Sequence, residues 1–201
     1  PLSEAILAFR TDIERYAEEF LNEEKKVFSV EDAVAGAQDI VSEILSEDSE
    51  VRGALRSFFR ERACVESRVV TGKEEEGKTY RDYFSFSEPA ARIPSHRLLA
   101  ILRGEKEGFL RVKALPDEDQ ALVLVEKHFL KGKRPTRYLK EAVTDGYARL
   151  LRPSMENELL ASLKTATHVE AIRVFAANLR DNLLEPPLVG KKVLAVDPGF
   201  R

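Results

Sequence analysis

Apolar residues recur at three- and four-residue steps along most of this chain. Ile6, Phe9, Ile13, Tyr16, Ala17 and Phe20 make one such stripe between Ser3 and about Asn22, the pattern of a helix with one face toward a core and charges on the other. Ser29 with Asp32 has the form of a capping box and opens a second helix, with Ala33, Ala37, Ile40, Val41, Ile44 and Leu45 inward. After the polar break from Ser46 to Ser49, a third helix points Val51, Leu55, Phe58 and Phe59 inward. Short links between the three predict a compact helical array. The same periodicity returns after Asp117, with Leu122, Val125 and Phe129 on one face of a helix that reaches Lys131. The next stripe is Tyr138, Leu139, Ala142, Val143, Tyr147, Leu150 and Leu151, and Pro153 is expected to end it. Ser154 then opens a helix with Leu159, Leu160 and Leu163, and Thr167 with Glu170 forms a second capping box. The last helix runs to about Leu184 and turns Ile172, Phe175, Ala176, Leu179 and Leu183 to the core, together with Leu99 and Leu102 from the middle of the chain. Pro186 and Pro187 break it as a stiff linker.

The period changes in three places. Val65–Thr71 and Phe109–Ala114 read as strands, and their pairing predicts a two-stranded ribbon that must lean on the helices to be stable. Lys192–Val196 is an apolar strand that delivers Asp197 at its end. Between the ribbon strands lies a segment that fits no single period. It holds the aromatics Tyr80, Tyr83, Phe84 and Phe86, then a proline-punctuated turn, then a helix capped by Ser95 and stopped near Gly104. The acidic run Glu74–Glu76, flanked by Gly72 and Gly77, reads as a solvated turn. The expected fold is therefore mainly α. A helical array over residues 1–64 is followed by the ribbon with its aromatic insert over 65–116, a helical and possible helix-turn-helix-like region over 117–187, and a linker with one strand over 188–201.

Composition narrows the class. With 43% hydrophobic and 33% charged residues in 201, the chain is globular rather than disordered. Thirty-two Lys and Arg against 35 Asp and Glu leave a net charge of −3, so any nucleic-acid contact has to come from a local basic patch. The one cysteine, Cys64, rules out an internal disulfide and suits a reducing cytoplasm. No apolar run approaches a membrane span and no signal peptide is visible.

Five short blocks carry a resemblance: Tyr80-Arg81-Asp82-Tyr83-Phe84, Glu88-Pro89, Pro94-Ser95-His96-Arg97, Arg103-Gly104 and Glu107-Gly108. With Gly72-Lys73-Glu74-Glu75-Glu76-Gly77 before them and Val196-Asp197-Pro198-Gly199-Phe200-Arg201 at the end, the chain resembles the Tex family of bacterial transcription accessory proteins. The resemblance implies a cytoplasmic, nucleic-acid-binding factor that acts on RNA or DNA mainly through domains beyond this segment. Those are a resolvase-type (YqgF) RNase H-like domain, of which Lys192–Val196 would be the truncated first strand, a helix-hairpin-helix region and an OB-fold RNA-binding domain. On that view the chain, which starts at proline and stops after a turn motif, is an excised helical scaffold fragment. Two rival classes are part of a resolvase-like nuclease and a protein-interaction module for RNA polymerase or associated factors.

The candidate chemistry is sparse. Asp197 matches the first acidic position of an RNase H-like site, yet two-metal phosphodiester chemistry needs several carboxylates. The alternative is a plain turn closing a strand, and no enzymatic activity is expected. His96 and Arg97 at a helix start could meet a phosphate, or Arg81 and Arg97 could be buried partners for Asp82 or Glu88. The run Lys131-Gly132-Lys133-Arg134-Pro135, continued by Arg137, has no apolar pattern that would bury it and is the second nucleic-acid candidate. His128 and His168 stand at no metal-ligand spacing from His96, so neither a metal nor a cofactor is expected. Cys64, with no base beside it, reads as a small core residue.

Overall fold

The computed structural model describes residues 1–22, 24–186, 190, 192 and 194–197. Among the described residues, eight α-helices and a three-stranded antiparallel sheet are arranged around one continuous set of buried apolar side chains drawn from Leu2 to Leu159.

The first expected helix is broken. Helix α1 spans Leu2–Leu7, Phe9 takes a left-handed backbone (φ 62°), and α2 restarts at Ile13–Ala17 before one 3-10 turn, Glu18–Phe20. Ile6 and Ile13, on either side of the break, both reach zero exposure. Helix α3, Val30–Glu47, begins on the predicted capping box: Ser29 Oγ accepts the Asp32 N–H (3.1 Å) while Asp32 Oδ2 accepts the Ser29 N–H (3.1 Å). Its buried line is Val34, Ala37, Val41 and Leu45, whereas Ile40 and Ile44, expected inward, stay 48% and 43% exposed. Asp48 caps α4, Ser49–Arg62, by accepting the N–H groups of Glu50 and Val51 at 2.9 Å each, and Val51, Leu55 and Phe59 are buried as expected.

Asp117 caps α6, Glu118–Leu130. Helix α7, Arg137–Gly146, crosses α3 closely: the Ser42 hydroxyl donates to the Ala142 carbonyl (2.9 Å), and a Cβ at Gly146 would stand 3.1 Å from Ser42 and Leu45. Contrary to expectation, Pro153 ends nothing. Helix α7 passes through one π turn, Tyr147–Leu151, directly into α8, Arg152–Leu183, with Pro153 in the first turn of α8. The wider turn interrupts the hydrogen-bond ladder just ahead of the residue that has no N–H to give. Helix α8 is unbroken through Thr167, so the second capping box does not form; Thr167 is instead a buried mid-helix residue.

Beyond Thr167, the structure overturns the predicted inward stripe. Ile172, Phe175, Leu179 and Leu183 are 67%, 67%, 45% and 76% exposed, because only the first half of α8 is packed, against α4, the helix α5 (Ser95–Lys106) and a strand. Periodicity showed that this half is amphipathic, and nothing among the described residues covers it.

The sheet has three strands where two were expected. Strand β1, Cys64–Val69, lies between β2, Ser85–Pro89, and β3, Leu110–Leu115. The extra strand comes from the aromatic insert. Ser67 pairs with Phe86 and Val112, and Val65 with Glu88 and Ala114, so these side chains form the inner face, where Val65, Ser67 and Ala114 are fully buried. Helix α5, Ser95–Lys106, and the first half of α8 pack along β3. The outward N–H groups of β3 are taken by helix carboxylates, Val112 by Glu105 (3.2 Å) and Ala114 by Glu156 (2.8 Å), so this edge offers no free backbone donors there. Gly104 does not stop α5 but lets β3 and the aromatic segment approach: a Cβ there would meet Leu110 Cδ1 at 2.7 Å and Tyr80 Cδ1 at 3.0 Å. The expected strand over Lys192–Val196 lies partly outside the described residues, and its described positions carry no regular structure.

Candidate nucleic-acid interface

The turn between α6 and α7 is built by two successive left-handed residues, Lys131 (φ 49°) and Gly132 (φ 80°), closed by the Lys133 N–H donating to the Leu130 carbonyl (3.0 Å). Thr136 then caps α7. This geometry turns Lys131, Lys133 and Arg134 outward, and Arg137 follows on the first turn of α7; all four are exposed. Their surroundings differ. Lys131 Nζ stands 3.6 Å from Glu50, and Lys133 Nζ lies 5.0 Å over the Phe9 ring. Arg137 donates to Glu141 (2.9 Å) and lies over Tyr138 at 5.8 Å. The bond to Glu141 raises the Arg137 pKa, while Arg137 and then Gln38 hold Glu141 below the usual carboxylate range. Tyr138, whose hydroxyl donates to Glu14, is raised by that bond. Arg134 ion-pairs with nothing among the described residues. The patch is therefore basic but partly neutralised along its α7 end.

His96 and Arg97 occupy a different part of the fold, since α5 lies against α8 and β3 whereas the turn joins helices packed on α4 and α3. Pro94, not Ser95, stands at the N-cap of α5, and no side chain caps it. Arg97 pairs with Glu88, at 3.2 Å across to β2, and His96 is exposed.

The aromatics are mostly packed. Tyr80 is buried and stacked on Phe109 with centroids 6.0 Å apart, and Tyr83 meets Phe86 edge-on at 5.6 Å. The Tyr80 hydroxyl donates to Glu107 (2.7 Å), which also accepts from Arg103 (2.9 Å). These two bonds, the tyrosine's first, lower the Glu107 pKa, and the shared proton raises that of Tyr80. Cys64 is half-buried at the start of β1. Asp197 is exposed, and the motif residues that follow it lie outside the described residues. Among the described residues, no three His, Cys, Asp or Glu side chains are placed to hold a metal ion, and no helix is long and apolar enough to cross a membrane.

One charged surface was not anticipated. On the outer face of the sheet, the pairing register places Ser85, Arg68 and Arg111 in one row, and Ser87, Glu66 and Lys113 in the next. The alternation of polar positions in both predicted strands carried this signal, but the missing third strand hid its width.

The description Tex central region-like belongs to the family model that matches residues 9–175. The chain is 35% identical over 217 residues to Protein tex of Bordetella pertussis, with 100% of this chain and 27% of that protein covered. It is 36% identical over 209 residues to the Transcriptional accessory protein Tex of Neisseria gonorrhoeae, again with 100% and 27% covered. The S1 RNA-binding domain-containing protein 1 of Homo sapiens is 27% identical over 191 residues, with 88% and 19% covered. The chain thus spans less than a third of the length of these relatives.

Proposed function

From the chain's membership of the Tex central region-like family, which the match over residues 9–175 establishes, we propose that it is the helical scaffold of a cytoplasmic, nucleic-acid-associated transcription accessory protein. Two relatives are named for transcription accessory function and for an RNA-binding domain, and both are several times longer than this chain. The scaffold's own contact with nucleic acid is weak and electrostatic, and it is made by the turn from Lys131 to Arg137. The observation that carries this reading is that turn's geometry. Two left-handed residues, fixed between two capped helices, hold Lys133 and Arg134 outward, away from the acids that engage Lys131 and Arg137.

On this proposal the chain performs no phosphodiester hydrolysis. Asp197 is one carboxylate, and a two-metal site requires several from separate elements. Binding of a fluorescent RNA oligonucleotide, followed by anisotropy over a salt series, tests the reading. Lys133→Glu with Arg134→Glu abolishes the residual affinity if the turn makes the contact, since each lost phosphate contact to a single strand removes about 0.7 from the salt slope. Undiminished binding by this variant would show the turn to be a solvated loop.

A further inference from the structure

Resting on the nucleic-acid reading above, we infer that the outer face of the three-stranded sheet is a separate phosphate-binding surface, one that takes the backbone of a single-stranded nucleic acid. The register is the starting point. Arg68 on β1 stands directly opposite Arg111 on β3 and, on its other side, opposite Ser85 on β2. Like charges directly opposite one another destabilise a sheet, and a pair of threonines there would suit the strand better. Compensation for the repulsion is slight. Arg68 meets only Glu66, at the long distance of 4.0 Å with its side chain 81% exposed, and Arg111 has no ion pair among the described residues. A locally unfavourable choice with only one long ion pair to compensate it points to a ligand that supplies the missing charge.

The shape of the face defines that ligand. Two guanidinium forks side by side present paired N–H donors, which match the oxygens of a phosphate better than an ammonium does, and the Ser85 hydroxyl in the same row can add a donor. Lys113 lies two residues from Arg111 on the same face, about 7 Å along β3, a separation comparable to that of successive phosphates in an extended strand. The strands beneath this face are anchored: Ser67 donates to the Tyr83 carbonyl from the inner face, and the far edge of β3 is held by Glu105 and Glu156. An exposed sheet face with cations at this spacing suits a single strand lying across it. No aromatic side chain shares the two rows, so the contact is made to phosphates and is indifferent to base sequence.

The test compares two double variants of the full chain, Arg68→Thr with Arg111→Thr, and the turn variant Lys133→Glu with Arg134→Glu, against a uridine homopolymer over a salt series and against inorganic pyrophosphate in thermal melts. The sheet variant is expected to melt at or above the parent in anion-poor buffer, to bind the RNA more weakly, and to flatten the salt dependence by about 1.4, at about 0.7 per phosphate contact. Arg111→Gln alone, which perturbs the strand least, should give about half that change. Pyrophosphate should raise the melting temperature of the parent and not of the sheet variant. If the sheet variant binds RNA as the parent does while the turn variant does not, the inference is wrong and the turn reading stands. If RNA binds neither protein but the pyrophosphate response is present and lost with the two arginines, the phosphate site holds and the nucleic-acid reading falls. Absence of both responses in the parent overturns the site.

Discussion

Replacing Gly104 by alanine sets two effects of known size against each other. In the interior of α5 the added methyl is favoured by helix propensity, at about 1 kcal/mol. It also enters a space that is already filled: its position is 2.7 Å from Leu110 Cδ1, 3.0 Å from Leu110 Cγ and 3.0 Å from Tyr80 Cδ1. Neither neighbour moves freely. Leu110 is 2% exposed in β3, and Tyr80 is held by its bond to Glu107 and by stacking on Phe109. Overpacking of this kind costs about 1–3 kcal/mol, so the net expectation for Gly104→Ala is a loss of about 1 kcal/mol. For a chain of this length that lowers the melting temperature by about 2–4 °C. Gly53→Ala in α4 is the control, because no heavy atom lies within 4 Å of its added Cβ, and it should raise stability by up to about 1 kcal/mol. Urea denaturation of both variants measures the difference. A second substitution, Leu110→Val, makes room for the methyl, so the double variant should lose less than the two single losses added together. A Gly104→Ala protein as stable as the Gly53→Ala protein, or a strictly additive double variant, would refute the close-approach argument.

Phe59→Ala should cost about 3–5 kcal/mol in the same assay, whereas Phe175→Ala, on the exposed half of α8, should stay within about 0.5 kcal/mol of the parent. Glu156→Ala leaves the buried Ala114 N–H without its acceptor and is expected to cost about 1–3 kcal/mol, with faster amide exchange at residue 114 as the specific readout. Burial pushes the Tyr147 hydroxyl from its ordinary 10.0 to about 12. A pKa raised on folding means that the stabilisation from the neutral phenol is complete below pH 10 and is lost as the pH rises toward 12. Melts between pH 9 and 12 should show that loss, and Tyr147→Phe should remove its contribution.

Much of this architecture could be read from local chemistry. The Ser29 capping box, the helix start at Asp117, the two ribbon strands and the buried stripe of α4 each depend on residues within a few positions of one another, and each formed. The failures depend on what lies far away in sequence. Phe175 and Leu179 carry the same periodicity as Phe59, and what separates exposed from buried is that no element among the described residues packs on them. Pro153 is a strong helix breaker that a π turn, set by tertiary packing, absorbed. Gly104 had the look of a stop signal because its use, contact with Leu110 and Tyr80, is invisible without the sheet. For the candidate site, the exposed run Lys131–Arg134 was legible as a basic turn, but its partial neutralisation by Glu50 and Glu141 was not. Arg68 and Arg111, 43 positions apart in the chain, become neighbours only through a strand register.

The π turn at Tyr147–Leu151 also fixes a phase. It holds one residue more than an α-helical turn would need, and every side chain of α8 is displaced by that residue relative to the face that α7 buries on α3. Removing a single residue from this turn would restore an uninterrupted α-helix and rotate everything downstream by about 100° about its axis. Leu159 and Met155 would leave the core, and Glu156 would swing away from β3. The Ile172–Leu183 stripe would turn to a different side of the molecule. The direction in which the protein presents that apolar ridge is thus set about 25 residues earlier, by one extra peptide unit in a helix that is otherwise regular.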